Sequence, residues 1–283
     1  MNVISADTRV AGVIGWPVRH SLSPVIHNAG FRSTGFDAVY VAFPVAPGDV
    51  GAALESLRRM NLLGLSVTMP HKADVAGLVD EIDEAAAALR SVNTVHAVDG
   101  RLVGHSTDGD GLVASLDDAG VAVRGATVLV VGSGGAGRAV VDAMRRHGAS
   151  EMIIANRTTT SASQASVLFA GSETVQLDDR KSMADVLERS TLVVNCTSVG
   201  MVGTESQDRS PFDLALLNDR HVVVDLVYRP TETVLLAGAR RRGCRAVGGL
   251  GMLVHQAALQ QRIWTGTTPD IGAMTTAATN ALG

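Results

Sequence analysis

Polar residues collect at a few points of an otherwise apolar chain, and their types could do chemistry. SVTMPHK carries Thr68 and Lys72 beyond an apolar run. SVNT puts Asn93 after a helical stretch, and STDG puts Asp108 at the end of a β-like run. NCTSVGM sets polar residues, Thr197 among them, behind a buried strand. GGLGMLVHQ places Gln256 one turn inside a glycine-opened helix. These positions are strand C-termini and helix starts, where the ligand crevices of open α/β sheets form. RHSLSP adds Ser21 and Ser23 ahead of Pro24. Ser23 is expected to cap the helix that Pro24 begins, and that helix terminus favours a bound carboxylate. Ser21, two residues earlier in an extended segment, is expected to point to the same side, with Leu22 facing away.

A second kind of chemistry is written in VLVVGSGGAG. Gly132, Gly134 and Gly137 form GxGxxG directly after an apolar strand and at the start of a helix. That context allows a tight turn and a close backbone approach to a pyrophosphate on the helix N-terminus. Ser133, Gly135 and Ala136 complete the turn. The next strand ends in Asn156-Arg157-Thr158. A cofactor with a free ribose 2′-hydroxyl is usually met there by Asp or Glu. Here an Arg able to fork onto a 2′-phosphate stands with hydroxyl side chains, which favours NADP over NAD.

The elements needed to hold these residues alternate along the chain. Strands are expected at 10–14, 38–43, 65–70, 152–156, 191–197 and 221–228. Helices are expected from Pro24 to Thr34 with Gly35 as the stop, from Asp49 to Met60, over EIDEAAAALR (81–90), and from about 108 to Ala119. Others should end at His147-Gly148, run around Ser163 to Phe169, from Thr231 to Arg242, over 248–264 and from Asp270 to Leu282. Asp99-Gly100 between two β-like runs is a hairpin signal. Strand–helix alternation means βαβ units and parallel sheets. The Rossmann pattern of alternating strands and helices starts near residue 108 and stops near residue 250. This gives an α/β fold in two parts: residues 1–107, completed by 251–283, and a Rossmann-type doubly wound domain over 108–250.

Composition narrows the classes. With 46% hydrophobic and only 3% aromatic residues, the core must be built from Val, Leu, Ile and Ala, which suits parallel strands covered by helices. A net charge of −4 excludes the basic surface that nucleic-acid binding requires. Arg240-Arg241-Arg242 before Gly243 is better read as a cationic helix end. No apolar run approaches the roughly 20 residues that span a bilayer. The N-terminus has no signal-peptide pattern. Cys196 and Cys244 stand in no metal-ligand or CxxC spacing, which fits a reducing cytoplasm and no metal. Monomer and homodimer both remain open.

The segments GWPVRHSLSP, SVTMPHK, SVNT, STDGDG, GSGGAG, NRT, NCTSVGM, DLVY and GGLGMLVHQ occur here in one order. In that order they resemble the shikimate dehydrogenase family over nearly the whole chain. The resemblance implies a reversible reduction of 3-dehydroshikimate to shikimate with NADPH, in two domains around a cleft. It implies that Ser21 and Ser23 hold the substrate carboxylate and Thr68 meets the ring. It makes Lys72 and Asp108 the catalytic pair, and Asn93 and Gln256 further hydroxyl ligands. Gly132 to Gly137, Asn156 to Thr158 and Thr197 match cofactor segments. Leu226, Tyr228 and Gly249 match positions on the nicotinamide and substrate side. A hydride leaves a secondary alcohol only if the hydroxyl proton is also taken, which is the work of a general acid–base pair.

The chain also departs from that family. Ser66 stands where the family usually has Asn, and Ser161 where NADP-preferring members often have a second Arg. Ser23, where quinate-accepting members often have Thr, favours shikimate. A quinate or aminoshikimate dehydrogenase using NAD, and a non-catalytic NADP-binding sensor, are the alternatives.

Overall fold

The computed structural model describes residues 4–283. The side chains of Thr159, Thr160, Ser161 and Gln164 lie outside what it describes, and so does the departure at Ser161. The chain divides into two compact units, Met1–Gly111 with Val254–Gly283, and Leu112–Leu253.

The first unit begins β1 (Arg9–Gly15), α1 (Ser23–Thr34), β2 (Ala38–Pro44), α2 (Val50–Arg59), β3 (Gly64–Val67), α3 (Lys72–Ala76), β4 (Glu81–Ile82) and α4 (Glu84–Leu89). It continues through β5 (Thr94–Val98), β6 (Arg101–His105) and the start of α5 (Asp108–Asp118). Its sheet has the order β2-β1-β3-β5-β6-β4. β1 lies parallel to β2 and β3, because α1 and α2 supply the crossovers. β5 runs antiparallel to β3 and to β6, so the sheet is mixed. The β5–β6 hairpin turns at Asp99 (φ 48°) and Gly100 (φ 79°), the left-handed pair such a two-residue turn needs.

The second unit holds β7 (Thr127–Val131), α6 (Gly135–Arg146), β8 (Glu151–Asn156), α7 (Thr159–Ser166), β9 (Glu173–Gln176), α8 (Arg180–Arg189) and β10 (Leu192–Asn195). β11 (Val222–Asp225), α9 (Val234–Arg241) and β12 (Arg245–Gly248) follow. Its strands order β12-β11-β10-β7-β8-β9 and are all parallel. The order reverses at β7, where Rossmann sheets bind dinucleotides. β7 is apolar on both faces. Val128 and Val130 pack with Val140 and Met144, while Leu129 and Val131 pack with Ile153 and Met183. Each such buried side chain contributes roughly 1.5–3 kcal/mol.

α10 (Leu250–Thr265) and α11 (Ile271–Leu282) close the chain. Within the first unit Trp264 packs with Ala11, Val13, Phe31 and Tyr40. Its indole N–H donates to the Val95 carbonyl (3.1 Å), and Gly64 leaves room for the ring.

Several expected boundaries shift for local reasons. EIDEAAAALR is not one helix. Glu81–Ile82 pairs with β6, and the Asp83 carboxylate then caps α4 by accepting from Ala86 N–H (2.7 Å). LSVTMP stops as a strand at Val67, and the chain turns through a His71 N–H···Thr68 carbonyl bond (3.1 Å). The expected strands 191–197 and 221–228 end at Asn195 and Asp225, whose side chains capture the turns that follow.

Candidate active site

Lys72 opens α3 at the edge of the turn after β3. Two buried anchors fix it there. The neighbouring His71 donates Nε2–H to the Val45 carbonyl (2.8 Å), and the Lys72 carbonyl accepts from Val92 N–H (2.9 Å). The Lys72 ammonium donates to Asp108 Oδ2 at 2.6 Å, with side-chain exposures of 30% and 17%. Asp108 is its hydrogen-bond partner among the described residues, and an ammonium has three N–H donors. Two are left for an incoming oxygen.

Asp108 is the first residue of α5, not a cap before it. Its carboxylate is turned to the site: Oδ2 takes Lys72, and Oδ1 accepts from Asn93 Nδ2–H at 2.8 Å. Asn93 is buried and fully engaged. Its second amide hydrogen goes to Thr107 Oγ1 (3.0 Å), while its Oδ1 accepts from Thr107 N–H (2.9 Å) and Thr94 Oγ1–H (2.8 Å). Asn93 therefore holds Asp108 through a side chain that is itself fixed by hydrogen bonds. Gln256 joins the group through its backbone, whose carbonyl accepts from Thr107 Oγ1–H (3.2 Å). α10 comes this close to α5 because Gly111 has no Cβ; one would stand 2.7 Å from the Gln256 Cβ. Thr107 is the residue that sequence reasoning missed, although it lies inside STDG.

Ser21 and Ser23 stand at the start of α1. Ser23 does not cap. α1 begins at Ser23 itself, with Leu22 as N-cap in αR geometry and no side-chain cap bond. The segment is a turn, not extended. Ser21 Oγ accepts from Ser23 N–H (3.2 Å) and donates to Ser23 Oγ (3.1 Å), so the two hydroxyls do lie together. Thr68 Oγ1 makes no hydrogen bond among the described residues, and its methyl packs where Gly15 lacks a side chain.

On the second unit the glycine turn has the geometry a pyrophosphate needs. Gly132 has φ 96°, open only to glycine in practice, and Thr197 Cγ2 lies 2.7 Å from where its Cβ would be. A Cβ on Gly137 would run into the Gly132 carbonyl oxygen, whereas one on Gly134 or Gly135 meets nothing within 4 Å. Ser133 Oγ is buried with no hydrogen-bond partner among the described residues. α6 starts after Gly134 with no side-chain cap, leaving its first N–H groups for a ligand. An unpartnered hydroxyl, uncapped amides and open space above the glycines fit a dinucleotide pyrophosphate. At the end of β8, Asn156 Nδ2–H bonds the Thr158 carbonyl (3.1 Å) and hydroxyl (3.2 Å). Arg157 is exposed and makes no ion pair among the described residues.

The loops after β10 and β11 are tied by a buried polar cluster that sequence reasoning did not single out. Asp225 Oδ1 accepts from Asn195 Nδ2–H (2.9 Å) and Val227 N–H (3.1 Å), and Oδ2 from Thr233 Oγ1–H (2.6 Å). Burial pushes the Asp225 carboxyl pKa up, partly offset by these bonds. Asn195 Oδ1 accepts from Thr197 N–H (3.0 Å) and Thr197 Oγ1–H (2.7 Å), which seats Thr197 against Gly132. Leu226 donates its N–H to the Asn195 carbonyl (3.0 Å), and Gly249 packs directly on the Leu226 backbone. Tyr228 is partly buried two residues further on, and its phenol pKa is raised by burial. Among the described residues no three His, Cys, Asp or Glu side chains are grouped to hold a metal ion, and no helix is long and apolar enough to cross a membrane.

A Rossmann-ordered unit with an open glycine turn, joined in one chain to a unit bearing a lysine–carboxylate pair, defines a two-unit dinucleotide-binding oxidoreductase. The chain belongs to the shikimate dehydrogenase family. The model of the shikimate dehydrogenase substrate binding domain matches residues 13–95, that of shikimate / quinate 5-dehydrogenase residues 116–226, and that of the shikimate 5'-dehydrogenase C-terminal domain residues 249–279. The shikimate dehydrogenase (NADP(+)) of Thermococcus kodakarensis is 42% identical over 273 residues, covering 96% of this chain and 97% of that protein. Among solved structures, shikimate 5-dehydrogenase from Listeria monocytogenes, in complex with shikimate and NAD, superposes with a TM-score of 0.92 at 32% identity, covering 98% of both chains. Shikimate 5-dehydrogenase from Thermus thermophilus, in complex with NADP(H) and shikimate, gives 0.88 at 36% identity over 97% of this chain and 100% of that one.

Proposed function

We propose that this chain is an NADP-dependent shikimate dehydrogenase, reversibly reducing 3-dehydroshikimate to shikimate. The observation that carries the reading is the Lys72–Asp108–Asn93 arrangement, in which both carboxylate oxygens of Asp108 are engaged while Lys72 keeps two N–H donors. Bound NADPH supplies the hydride, and its oxidised form takes one back. Lys72 donates a hydrogen bond to the substrate carbonyl oxygen and delivers the proton from Nζ as that oxygen gains charge. Asp108 holds the ammonium on target, and Asn93 holds Asp108. In the other direction Lys72 Nζ takes the hydroxyl proton back, and Asp108 holds the ammonium that forms. Ser21 and Ser23 hold the substrate carboxylate, Thr68 and Gln256 flank the ring, and Tyr228 contacts the substrate. The glycine turn from Gly132 to Gly137 holds the pyrophosphate. Asn156, Arg157 and Thr158 take the ribose and its 2′-phosphate, and Thr197, Leu226 and Gly249 line the nicotinamide.

Two expectations test this reading. The first is steady-state turnover of shikimate and of quinate, each with NADP and with NAD. Shikimate with NADP should give the highest kcat/KM, and no shikimate-dependent reduction of NADP would end the reading. Arg157→Ala should raise the KM for NADP about ten- to a hundredfold while leaving NAD almost unaffected, since a hydrogen bond between charged groups is worth roughly 1.5–3 kcal/mol. Quinate with NAD as the preferred pair would assign the chain to the family's other activity.

The second concerns the serine pair. Ser21→Ala removes one hydroxyl and the acceptor for Ser23 N–H. The KM for shikimate should rise about tenfold, with the KM for NADP unchanged and the protein folded. An unchanged shikimate KM would reduce the motif to a helix start.

A further inference from the structure

Behind the serine pair lies a buried polar chain that none of the roles above uses. Tyr40, Ser66, His27, Gln260 and Gln261 are all buried in the first unit. Tyr40 O–H donates to Ser66 Oγ (2.6 Å), and Ser66 Oγ–H donates to Gln260 Oε1 (2.5 Å). His27 Nε2 lies 3.1 Å from the same Gln260 Oε1, and Gln260 Nε2–H donates to the Asn93 carbonyl (3.3 Å). The His27 and Tyr40 rings stack at 4.1 Å and 6°. Gln261 Nε2 reaches both His27 Nδ1 (3.1 Å) and the His27 carbonyl (2.7 Å).

The hydrogen count of this chain has one solution. Gln260 Oε1 can only accept, so Ser66 and His27 Nε2 must both donate to it. Ser66 has then used its proton, and Tyr40 donates to Ser66. His27 accepts at Nδ1 from Gln261 and is therefore neutral. Burial pushes its imidazole pKa down to about 3, which agrees with that tautomer. The polarity of the whole chain is set at Gln260, which bonds His27 on α1, the helix that Ser23 opens, while Tyr40 stacks on the same imidazole. The amide nitrogen of Gln260 pulls on the backbone of Asn93, which holds Asp108.

We propose that Gln260 is a positioning residue that fixes the two ends of the substrate site against each other: through His27, and through Ser66 and the Tyr40 ring stacked on His27, it holds the start of α1 with Ser23, and through the Asn93 carbonyl it holds the Asn93–Asp108–Lys72 group. This rests on the shikimate reading, in which those two ends grip one small rigid ring. A substrate whose carboxylate and reacting oxygen are a fixed distance apart needs both ends placed together. A misplacement of about 1 Å costs on the order of a hundredfold in rate. Ser66 is the hydroxyl that joins Tyr40 to Gln260.

The test uses Gln260→Met, which keeps the length and removes the three side-chain hydrogen bonds, together with Ser66→Ala and the hydroxyl-retaining Ser66→Thr. Folding is followed by circular dichroism and melting, shikimate binding by calorimetry, and kcat and KM separately for 3-dehydroshikimate and NADPH. Gln260→Met and Ser66→Ala should lower kcat/KM for 3-dehydroshikimate about ten- to a hundredfold in folded protein. The KM for NADPH should stay constant, and Ser66→Thr should recover most of the loss. Ser66→Ala should also cost less in a Ser21→Ala background than in wild type, because it acts through the serine pair. Folded variants with wild-type constants, or fully additive effects, would overturn the inference, as would Ser66→Thr behaving like Ser66→Ala. If Gln260→Met does not fold, the Ser66 pair still decides. A wild-type protein that neither binds nor turns over shikimate would overturn the functional reading and this inference with it, whereas active wild type beside unaffected variants overturns the inference alone.

Discussion

Lys72→Ala should lower kcat about a hundredfold or more while shikimate and NADP still bind. The size follows from what is lost: general acid–base help is worth roughly 10²–10⁴ in rate, and Lys72 is the donor that Asp108 aims. Stability should hardly change. The pair is partly exposed, and such ion pairs contribute about 1 kcal/mol or less. Asp108 also keeps its bond from Asn93 when the ammonium is gone. The effect should therefore appear in kcat, with the KM for shikimate moved only a few-fold and the melting curve unchanged. Lys72→Arg should not restore activity, because a planar guanidinium would present a different fork to Asp108 Oδ2 and to the substrate oxygen. A Lys72→Ala protein with near wild-type kcat would remove Lys72 from the chemistry. The sensor alternative fares worst if binding is retained while turnover collapses, since a sensor has no use for that residue.

What was legible before the fold was seen follows from how local the cause is. The glycine turn was legible because GxGxxG after VLVV states its own geometry: positive φ at Gly132 and a Cβ-free approach at Gly137. The β5–β6 hairpin was legible because Asp99-Gly100 both adopt positive φ. The break inside EIDEAAAALR was not, because helix propensity over 84–89 extends plausibly backwards, and only the pairing of Glu81–Ile82 with β6 stops it at Asp83. The ends of β10 and β11 were missed for a related reason. Apolar runs predict strands, but Asn195 and Asp225 end them by binding each other and the next turn across 30 residues of sequence. At the site, the residues proposed to meet a ligand stood out by type. The residues that hold them, Thr107, Asn195, Asp225 and Gln260, did not, because their role lies in long-range hydrogen bonds. The helix-start serine was assigned the wrong half of its job: Ser21, not Ser23, accepts the amide hydrogen there.

Gly137→Ala should be the most damaging single methyl in the second unit, and its contrast with Gly134→Ala separates folding from cofactor binding. At Gly137 the added Cβ would meet the carbonyl oxygen of Gly132, with Cys196 Cβ 3.6 Å away on another side. Neither neighbour can rotate clear. The oxygen belongs to the backbone of a residue held at φ 96° and bonded through its N–H to the Ala155 carbonyl (2.8 Å). The turn must open, and overpacking of this kind costs about 1–3 kcal/mol. The variant should melt lower without cofactor and show a KM for NADP raised at least about tenfold, since the amides of α6 no longer converge. Gly134→Ala meets no protein atom, and its φ of −69° suits any residue. It should leave the cofactor-free melting temperature unchanged and still raise the KM for NADP, because the methyl would stand in the space assigned to the pyrophosphate. Gly137→Ala with wild-type stability and cofactor affinity would mean the turn has slack that its geometry denies. Gly134→Ala with wild-type NADP affinity would move the pyrophosphate away from the glycine turn.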